Sequence, residues 1–349
     1  MSWQRIRGHE QIIKTFDHIV RRGRLAHAYL FTGPEGVGKR LFAGELAKAL
    51  LCEGTKEPGL EACDRCPACL LVEADTHPDL QTAGRPEDKS EVPIVMMREL
   101  ARSLDLKPAR GRGKIVILDD ADDLNEESAN CFLKTLEEPP LGALLILIGT
   151  SADRQLATIV SRCQVVHFQP LSEPMIAELL TSHGIKDSVF VLRVARLSGG
   201  SPGQALALAD PALWDFRRKL LQGLTQPKPD SVGLAQFWTK FVEEAGKESA
   251  VQRRRASLIL RFLIDFLNDA LSMSVGKPPR LADEYDVPLL QKFVKQTDTD
   301  RLIQMIDRCL EADLQNDRNV QLVLIIEALL DSLASVTSVS ERLGVLKST

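Results

Sequence analysis

No stretch of this sequence approaches the ~18 consecutive apolar residues that a membrane-crossing helix needs. No apolar run stands behind Arg5 and Arg7 as it would in a secretory leader. The expectation is a cytoplasmic protein that makes no membrane contact. A basic excess is missing too: 44 Lys and Arg face 48 Asp and Glu, a formal net charge of −4. A free-standing nucleic-acid binder is usually basic, so DNA is expected to be met only through a surface shared with other proteins. Tandem repeats and low-complexity tracts are absent. Disulfides are rare in a reducing compartment, so the seven cysteines need another role.

What is present reads as an ordinary globular chain, 44% hydrophobic and 26% charged, of 349 residues. That length suggests two or three domains. Apolar runs at 28–32, 114–119, 144–149 and 165–168 read as strands, with a weaker one at 79–82. Between the first two, residues 40–51 place Leu41, Phe42, Leu46, Ala49 and Leu50 at helical spacing. Such runs separated by helices imply a parallel sheet buried on both faces. After Pro170 no convincing strand follows. Helical patterns cover 173–180, 188–197, 204–209, 257–271, 288–294, 299–314 and 320–335, with a loop at 226–230. The expected organisation is an α/β domain at 1–170, a small helical domain at 171–209 and an all-α domain at 210–349.

Gly33-Pro34-Glu35-Gly36-Val37-Gly38-Lys39 lies between a predicted strand and a predicted helix. That is the context of a phosphate-binding loop, whose backbone N–H groups cradle phosphates at a helix N-terminus. Lys39 would reach the β- and γ-phosphates. The next residue is normally Ser or Thr, which holds Mg²⁺, but here it is Arg40. Asp119 ends a strand where a metal-binding Asp belongs. Asp120 follows where a Glu would position the attacking water, and it is one methylene shorter. A displacement of about 1 Å at such a point can cost ~10²-fold in rate. Phosphate-loop ancestry is the expectation, with ATP hydrolysis, nucleotide and Mg²⁺ binding all in doubt. Arg40 could still grip a phosphate without metal. The plain alternative is a glycine-rich turn beside a strand that ends in acid.

Cys52, Cys63, Cys66 and Cys69 have the spacing C-x10-C-x2-C-x2-C. Four thiolates close a tetrahedral structural Zn²⁺ site with no position left for chemistry. The alternatives are a metal-free loop or a redox pair, though no thioredoxin-like context surrounds Cys63 and Cys66. Cys131, Cys163 and Cys309 are scattered and read as small apolar fillers.

With these pieces in place the sequence resembles the bacterial clamp-loader family of AAA+ proteins. Several segments carry the resemblance: His27-Ala28-Tyr29-Leu30-Phe31 before the loop, and the cysteine module after the first helix with His77-Pro78-Asp79 behind it. To these add Leu133-Lys134-Thr135-Leu136-Glu137-Glu138-Pro139-Pro140 and Ile159-Val160-Ser161-Arg162-Cys163. Asn316 and Asn319 are a weaker match in the C-terminal domain. The resemblance implies a AAA+ domain, a helical lid and a helical collar. It also implies a pentameric ring with gamma/tau and delta subunits that loads a sliding clamp of DNA polymerase III onto primed DNA. Arg162 of the Ser-Arg-Cys element would be an arginine finger, reaching the γ-phosphate of ATP held by a neighbour. Without the family context Arg162 reads as a surface salt-bridge residue. Motor subunits of the family carry Lys-Thr or Lys-Ser, Asp-Glu and a sensor Arg. This chain has Lys39-Arg40, Asp119-Asp120 and Gly203 at those points, so a non-hydrolysing member is expected. The competing readings are a hydrolysing motor subunit and a zinc-dependent DNA-binding module. Thr150 or Ser151 stands in the sensor-1 region. The basic runs at 21–24 and 109–114 read as solvated surface, and Arg253-Arg254-Arg255 reads as the exposed face of a collar helix.

Overall fold

The computed structural model describes residues 2–55, 58–86, 89, 91–281 and 285–338. The chain divides into two compact units, 1–207 and 208–349.

In the first unit the described residues form five strands: β1 (Ala28–Thr32), β2 (Leu80–Ala83), β3 (Lys114–Leu118), β4 (Ala143–Ile148) and β5 (Gln164–His167). They make one sheet in the order β2-β3-β4-β1-β5, with every neighbouring pair parallel. Parallel strands need crossovers. The helices that supply or flank them are α1 (Glu10–Arg21), α2 (Lys39–Leu51), α3 (Pro67–Glu73), α4 (Ile94–Leu104), α5 (Glu126–Glu137) and α6 (Ala157–Val160). This is the expected α/β architecture, a parallel sheet with helices on both faces.

Each residue of β1 and of β4 is buried, which explains why both strands read as unbroken apolar runs. Alternate residues feed two cores. On one face Leu30, Val116, Leu118, Leu145 and Leu147 pack with Met97, Leu100 and Leu104 of α4 and with Ala129, Phe132 and Leu136 of α5. On the other, Phe31 meets Phe16 of α1 at 5.9 Å and Phe42 of α2 at 5.7 Å between ring centroids, and Phe42 meets Phe168 at 5.2 Å. These are tilted or edge-on contacts, the arrangement that ring quadrupoles favour. β1, with the glycine-rich loop at its C-terminal end, is thereby clamped inside the sheet between β4 and β5. Three helices complete the unit: α7 (Glu173–Ser182), α8 (Ser188–Leu197) and α9 (Pro202–Leu208).

The second unit is helical in all its described elements: α10 (Pro211–Leu224), α11 (Ser231–Glu243), α12 (Ser249–Ser274), α13 (Asp286–Gln296), α14 (Thr299–Asp317) and α15 (Leu322–Ser338). Leu258, Phe262, Phe266 and Ala270 stand four residues apart on α12, and Phe262, Phe266 and Ala270 are buried. The helix starts earlier than the periodicity suggests, and its basic run is not a bare solvent face. Arg253 Nη1 and Nη2 donate to Asn316 O at 3.1 Å and Val320 O at 2.9 Å. Asn316 returns Nδ2 to Arg253 O at 3.1 Å and to Ser257 Oγ at 2.9 Å. Arg253 thus ties the start of α12 to the end of α14 and to the turn that follows it. Arg255 lies 4.7 Å over the Phe241 ring. Deeper in this unit Arg217 and Asp286 form a buried two-pronged ion pair at 2.7 and 2.8 Å.

Candidate functional site

The loop after β1 is shaped by its glycines. Gly33 has φ +142°, and a Cβ there would lie 2.3 Å from Phe168 O. Gly36 has φ +71°, and its Cβ would meet Ser201 Oγ at 2.6 Å. Both conformations disfavour side chains, so this backbone can be built only from glycine. Ser201 Oγ donates to Glu35 O at 2.8 Å, and Gly203 N to Gly36 O at 2.9 Å. The turn before α9 is therefore bonded directly onto the loop. A Cβ at Gly203 would stand 3.0 Å from Gly36 Cα, so a side chain here would press on the loop. Beneath the loop, His9 Nε2 bonds Val37 O at 3.0 Å and its ring packs edge-on against Phe168 at 4.9 Å. Burial holds the His9 imidazole below its ordinary pKa.

Lys39 is 6% exposed, and its Nζ donates to Gly33 O at 2.6 Å and Pro34 O at 2.8 Å. Burial lowers its pKa, against the pull of Asp119, Asp122 and Glu35. Arg40 reaches across to Asp119, Nη1 to Oδ2 3.2 Å. The carboxylate at the metal position is thus paired with the side chain that replaces the metal-binding hydroxyl. Asp120 turns the other way, accepting from Arg85 N at 3.2 Å with φ +53°. Burial first, and then the neighbouring Asp119, push its carboxyl above the usual range. The structure therefore brings Gly33, Gly36, Gly38, Lys39, Arg40 and Asp119 together and directs the Asp120 carboxylate toward the end of β2.

Asp120→Asn should stabilise the protein at neutral pH. The amide oxygen still accepts from Arg85 N, asparagine tolerates φ > 0 well, and a charge repelled by Asp119 is removed. The folded carboxyl titrates above its unfolded value, so the wild type loses relative stability as pH rises through the folded pKa. The gain is expected to be full at pH 7 and to vanish as pH falls toward ~4. Thermal melts at both pH values, with a rise of order 1 °C at pH 7, check it; a lower Tm at pH 7 contradicts it.

Sequence reasoning missed Asp122. Its Oδ2 accepts from Thr150 N at 2.8 Å and Thr150 Oγ1 at 2.6 Å, and its Oδ1 from Gln155. The expected sensor-1 residue Thr150 is thus spoken for, while Ser151 caps the short turn after β4 through Asp153 N at 3.2 Å. Arg162 follows α6. Its Nε donates to Glu137 Oε1 at 2.9 Å and Nη2 donates to the same oxygen. Its Nη1 meets Thr158 O at 2.9 Å. The salt bridge of the plain reading is present, at a residue 31% exposed in its side chain.

The cysteine module lies at the far end of α2. Among the described residues Cys52, Cys63, Cys66 and Cys69 form a group whose sulfurs all lie within 4.8 Å of one another. The Cys52–Cys66 and Cys63–Cys69 separations are 3.9 and 4.0 Å. Zn–S bonds of ~2.3 Å at tetrahedral angles imply edges of about 3.8 Å, and a disulfide implies ~2.05 Å. The donor set therefore fits a structural zinc and not two disulfides. Backbone N–H groups of Cys63, Cys66 and Cys69 point at the sulfurs of Cys52, Cys63 and Cys66 at 3.3, 3.3 and 3.5 Å, which favours thiolates. Burial would raise the Cys52 thiol, but hydrogen bonds from Cys63, Thr55 and Gly54 prevail and bring it down to about 6. Burial and the nearby sulfurs push Cys69 up. His77 stands outside the group: its Nδ1 accepts from Asp79 N at 3.1 Å.

Two anchors of this module were not legible in the sequence. Lys48, 5% exposed, pairs with Glu45 at 3.0 Å, Asp64 at 3.0 Å and Glu73 at 3.1 Å. Burial alone would lower its pKa; the three carboxylates raise it. In the basic run expected to be solvated, Arg110 pairs with Glu53 at 2.5 Å and Arg112 donates to Thr55 O at 3.1 Å. Asp79 holds this run by accepting from Ala109 N and Arg110 N at 2.7 and 2.8 Å. Lys48→Met should leave buried Glu45 undercompensated, at a cost of about 3 kcal/mol, and should speed zinc loss to a chelator. Unchanged stability and chelation rate would contradict that role.

A family model described as DNA polymerase III, delta subunit, matches residues 8–172. The Escherichia coli DNA polymerase III subunit delta' is 32% identical over 254 residues, covering 73% of this chain and 72% of that one. The Bacillus subtilis subunit delta' is 27% identical over 325 residues, covering 92% and 95%. The Haemophilus influenzae subunit tau/gamma is 34% identical over 213 residues, 59% of this chain and 30% of that protein. With its phosphate loop and four-cysteine module described above, the chain belongs to the DNA polymerase III subunit delta' family.

Proposed function

We propose that this chain is a non-hydrolysing subunit of a DNA polymerase III clamp loader, taking part in a pentameric ring with gamma/tau and delta subunits. The ring opens a sliding clamp and places it on primed DNA. In this reading residues 1–170 are the AAA+ domain, 171–209 its lid and 210–349 the collar. The chain works in the cytoplasm, and among the described residues no helix is long and apolar enough to cross a membrane. One observation carries the absence of hydrolysis: the phosphate cradle is satisfied from within. Arg40 neutralises Asp119, Lys39 is bonded to its own loop, and Asp120 turns to the end of β2. In this reading Arg40, Asp119, Lys39 and Asp120 are engaged within the chain, so the site does not turn over ATP.

Arg162 supplies the catalytic contribution to a neighbour. A planar, permanently charged guanidinium matches phosphate oxygens, and Arg162 is partly exposed at the end of a short helix rather than committed to the core. Zn²⁺, held by Cys52, Cys63, Cys66 and Cys69, orders the segment 52–69. When bound it supplies structure and no chemistry.

The alternative, a hydrolysing gamma/tau-like motor, is tested directly. The isolated chain should show no Mg²⁺-dependent ATP turnover, and adding it to motor and delta subunits should raise theirs in the presence of clamp and primed DNA. Brisk turnover by the chain alone, lost on Lys39→Ala, would reverse the assignment.

A further inference from the structure

Arg162 is occupied inside its own chain, at all three guanidinium nitrogens. Nε and Nη2 converge on Glu137 Oε1, and Nη1 spans Thr158 O at 2.9 Å and Ser161 Oγ at 3.2 Å. Glu137 is the last residue of α5, and Pro139 and Pro140 end the chain's helical path directly behind it. The carboxylate therefore stands on a fixed helix end, whereas Arg162 reaches it from the turn between α6 and β5. The Glu137 side chain is 50% exposed, so the pair sits at the surface, within reach of an incoming anion.

We infer that Glu137 is a positioning residue that parks the arginine finger, and that the pair must open before Arg162 can meet a triphosphate. The inference rests on the reading of Arg162 as a finger in trans. Its argument is one of competing anions. A guanidinium that kept Glu137 while approaching a γ-phosphate would bring two negative groups together, and like charges a few ångströms apart repel. Phosphate engagement and Glu137 pairing are thus alternatives. The contacts of Nη1 to Thr158 and Ser161 do not carry this conflict, because both partners are neutral; they can guide the side chain in either state. An exposed carboxylate–arginine pair is weak, so the latch is set to yield to a docked neighbour and to hold only when none is present. A ligand can shift such an equilibrium only by its preference for one state. Here the preferred state is the open one, and the triphosphate of the adjoining subunit is what selects it.

The test uses the reconstituted loader with motor and delta subunits, clamp and primed DNA. ATP turnover is titrated against ATP and against this chain for wild type, Glu137→Gln, Arg162→Ala and the double variant. Melting curves of each chain verify folding. Glutamine keeps the shape and removes the charge. The expected result is a two- to fivefold fall in the concentrations giving half-maximal turnover, with kcat unchanged or higher, the size an exposed pair carries. The double variant should match Arg162→Ala. If Glu137→Gln leaves these concentrations unchanged or raises them while Arg162→Ala is defective, the latch is overturned and the finger stands. If Arg162→Ala has no effect on turnover, the finger reading fails and the latch with it.

Discussion

Arg162→Ala is expected to leave folding and ring assembly intact and to cut ATP turnover at the site this chain adjoins. Truncation should not unfold the domain, because the side chain is partly exposed and its ionic partner Glu137 is more exposed still. Surface pairs of this kind contribute about 0–1 kcal/mol to stability. Its loss to catalysis should be far larger. A finger supplied in trans offsets charge that develops on the transferred phosphoryl group, and such residues are worth ~10³–10⁵ in GTPase systems. In a ring with several ATP sites the measured total falls by the share of the adjoining one. Single-turnover hydrolysis per site separates that share from the rest. Lysine at 162 would keep a charge without the planar fork, so it should recover only part of the rate. Full activity of Arg162→Ala in the assembled loader would refute the assignment.

The second large effect is expected at Cys66. The protein should carry about one zinc per chain, and Cys66→Ser should lose it. This cysteine separates two roles cleanly, since it is both a member of the sulfur cluster and the N-cap of α3, where its Sγ accepts from Cys69 N. Serine is a good N-cap, so the helix start survives and the loss reports the thiolate alone. Structural zinc in small peptides contributes about 10–16 kcal/mol of apparent binding energy. Here the sheet has its own core, so only the segment 52–69 depends on the metal. A drop in stability of about 3 kcal/mol, or roughly 6–12 °C in Tm at this unit size, is expected. Early proteolysis should fall within the module. Elemental analysis of the wild type that finds no zinc would sink this reading.

The sequence disclosed most where chemistry is local. Strand β1 and its glycines, Lys39 and Arg40 lie within a short pattern whose meaning depends on order alone, and Asp119 is marked by the end of its own apolar run. The cysteine spacing carries the cluster for the same reason. Helix α8 at 188–197 was legible to the residue, because its apolar periodicity is uninterrupted between two breakers. What stayed hidden was set by distance along the chain. Lys48 looks like an ordinary helical lysine until Asp64 and Glu73 fold over it. Asp122 reads as one of several acids in a row until β4 brings Thr150 to it. Arg110 and Arg112 read as solvated because Glu53 and Thr55, their partners, lie on another element. Arg253 read as exposed because the carbonyls it serves belong to the end of α14. Each of these is a charged side chain whose partner is many residues away, and no periodicity marks such pairs.

Helix α2 begins at Lys39 in the phosphate loop and is closed at its other end by Cys52, the first ligand of the sulfur cluster. Thirteen residues at 1.5 Å per residue make a rod of about 20 Å. A rod pinned at both tips can neither slide nor turn at one without the other feeling it. Whatever tugs on the cysteine module is therefore delivered along the axis to the glycine-rich loop. That loop is the far bearing of a lever.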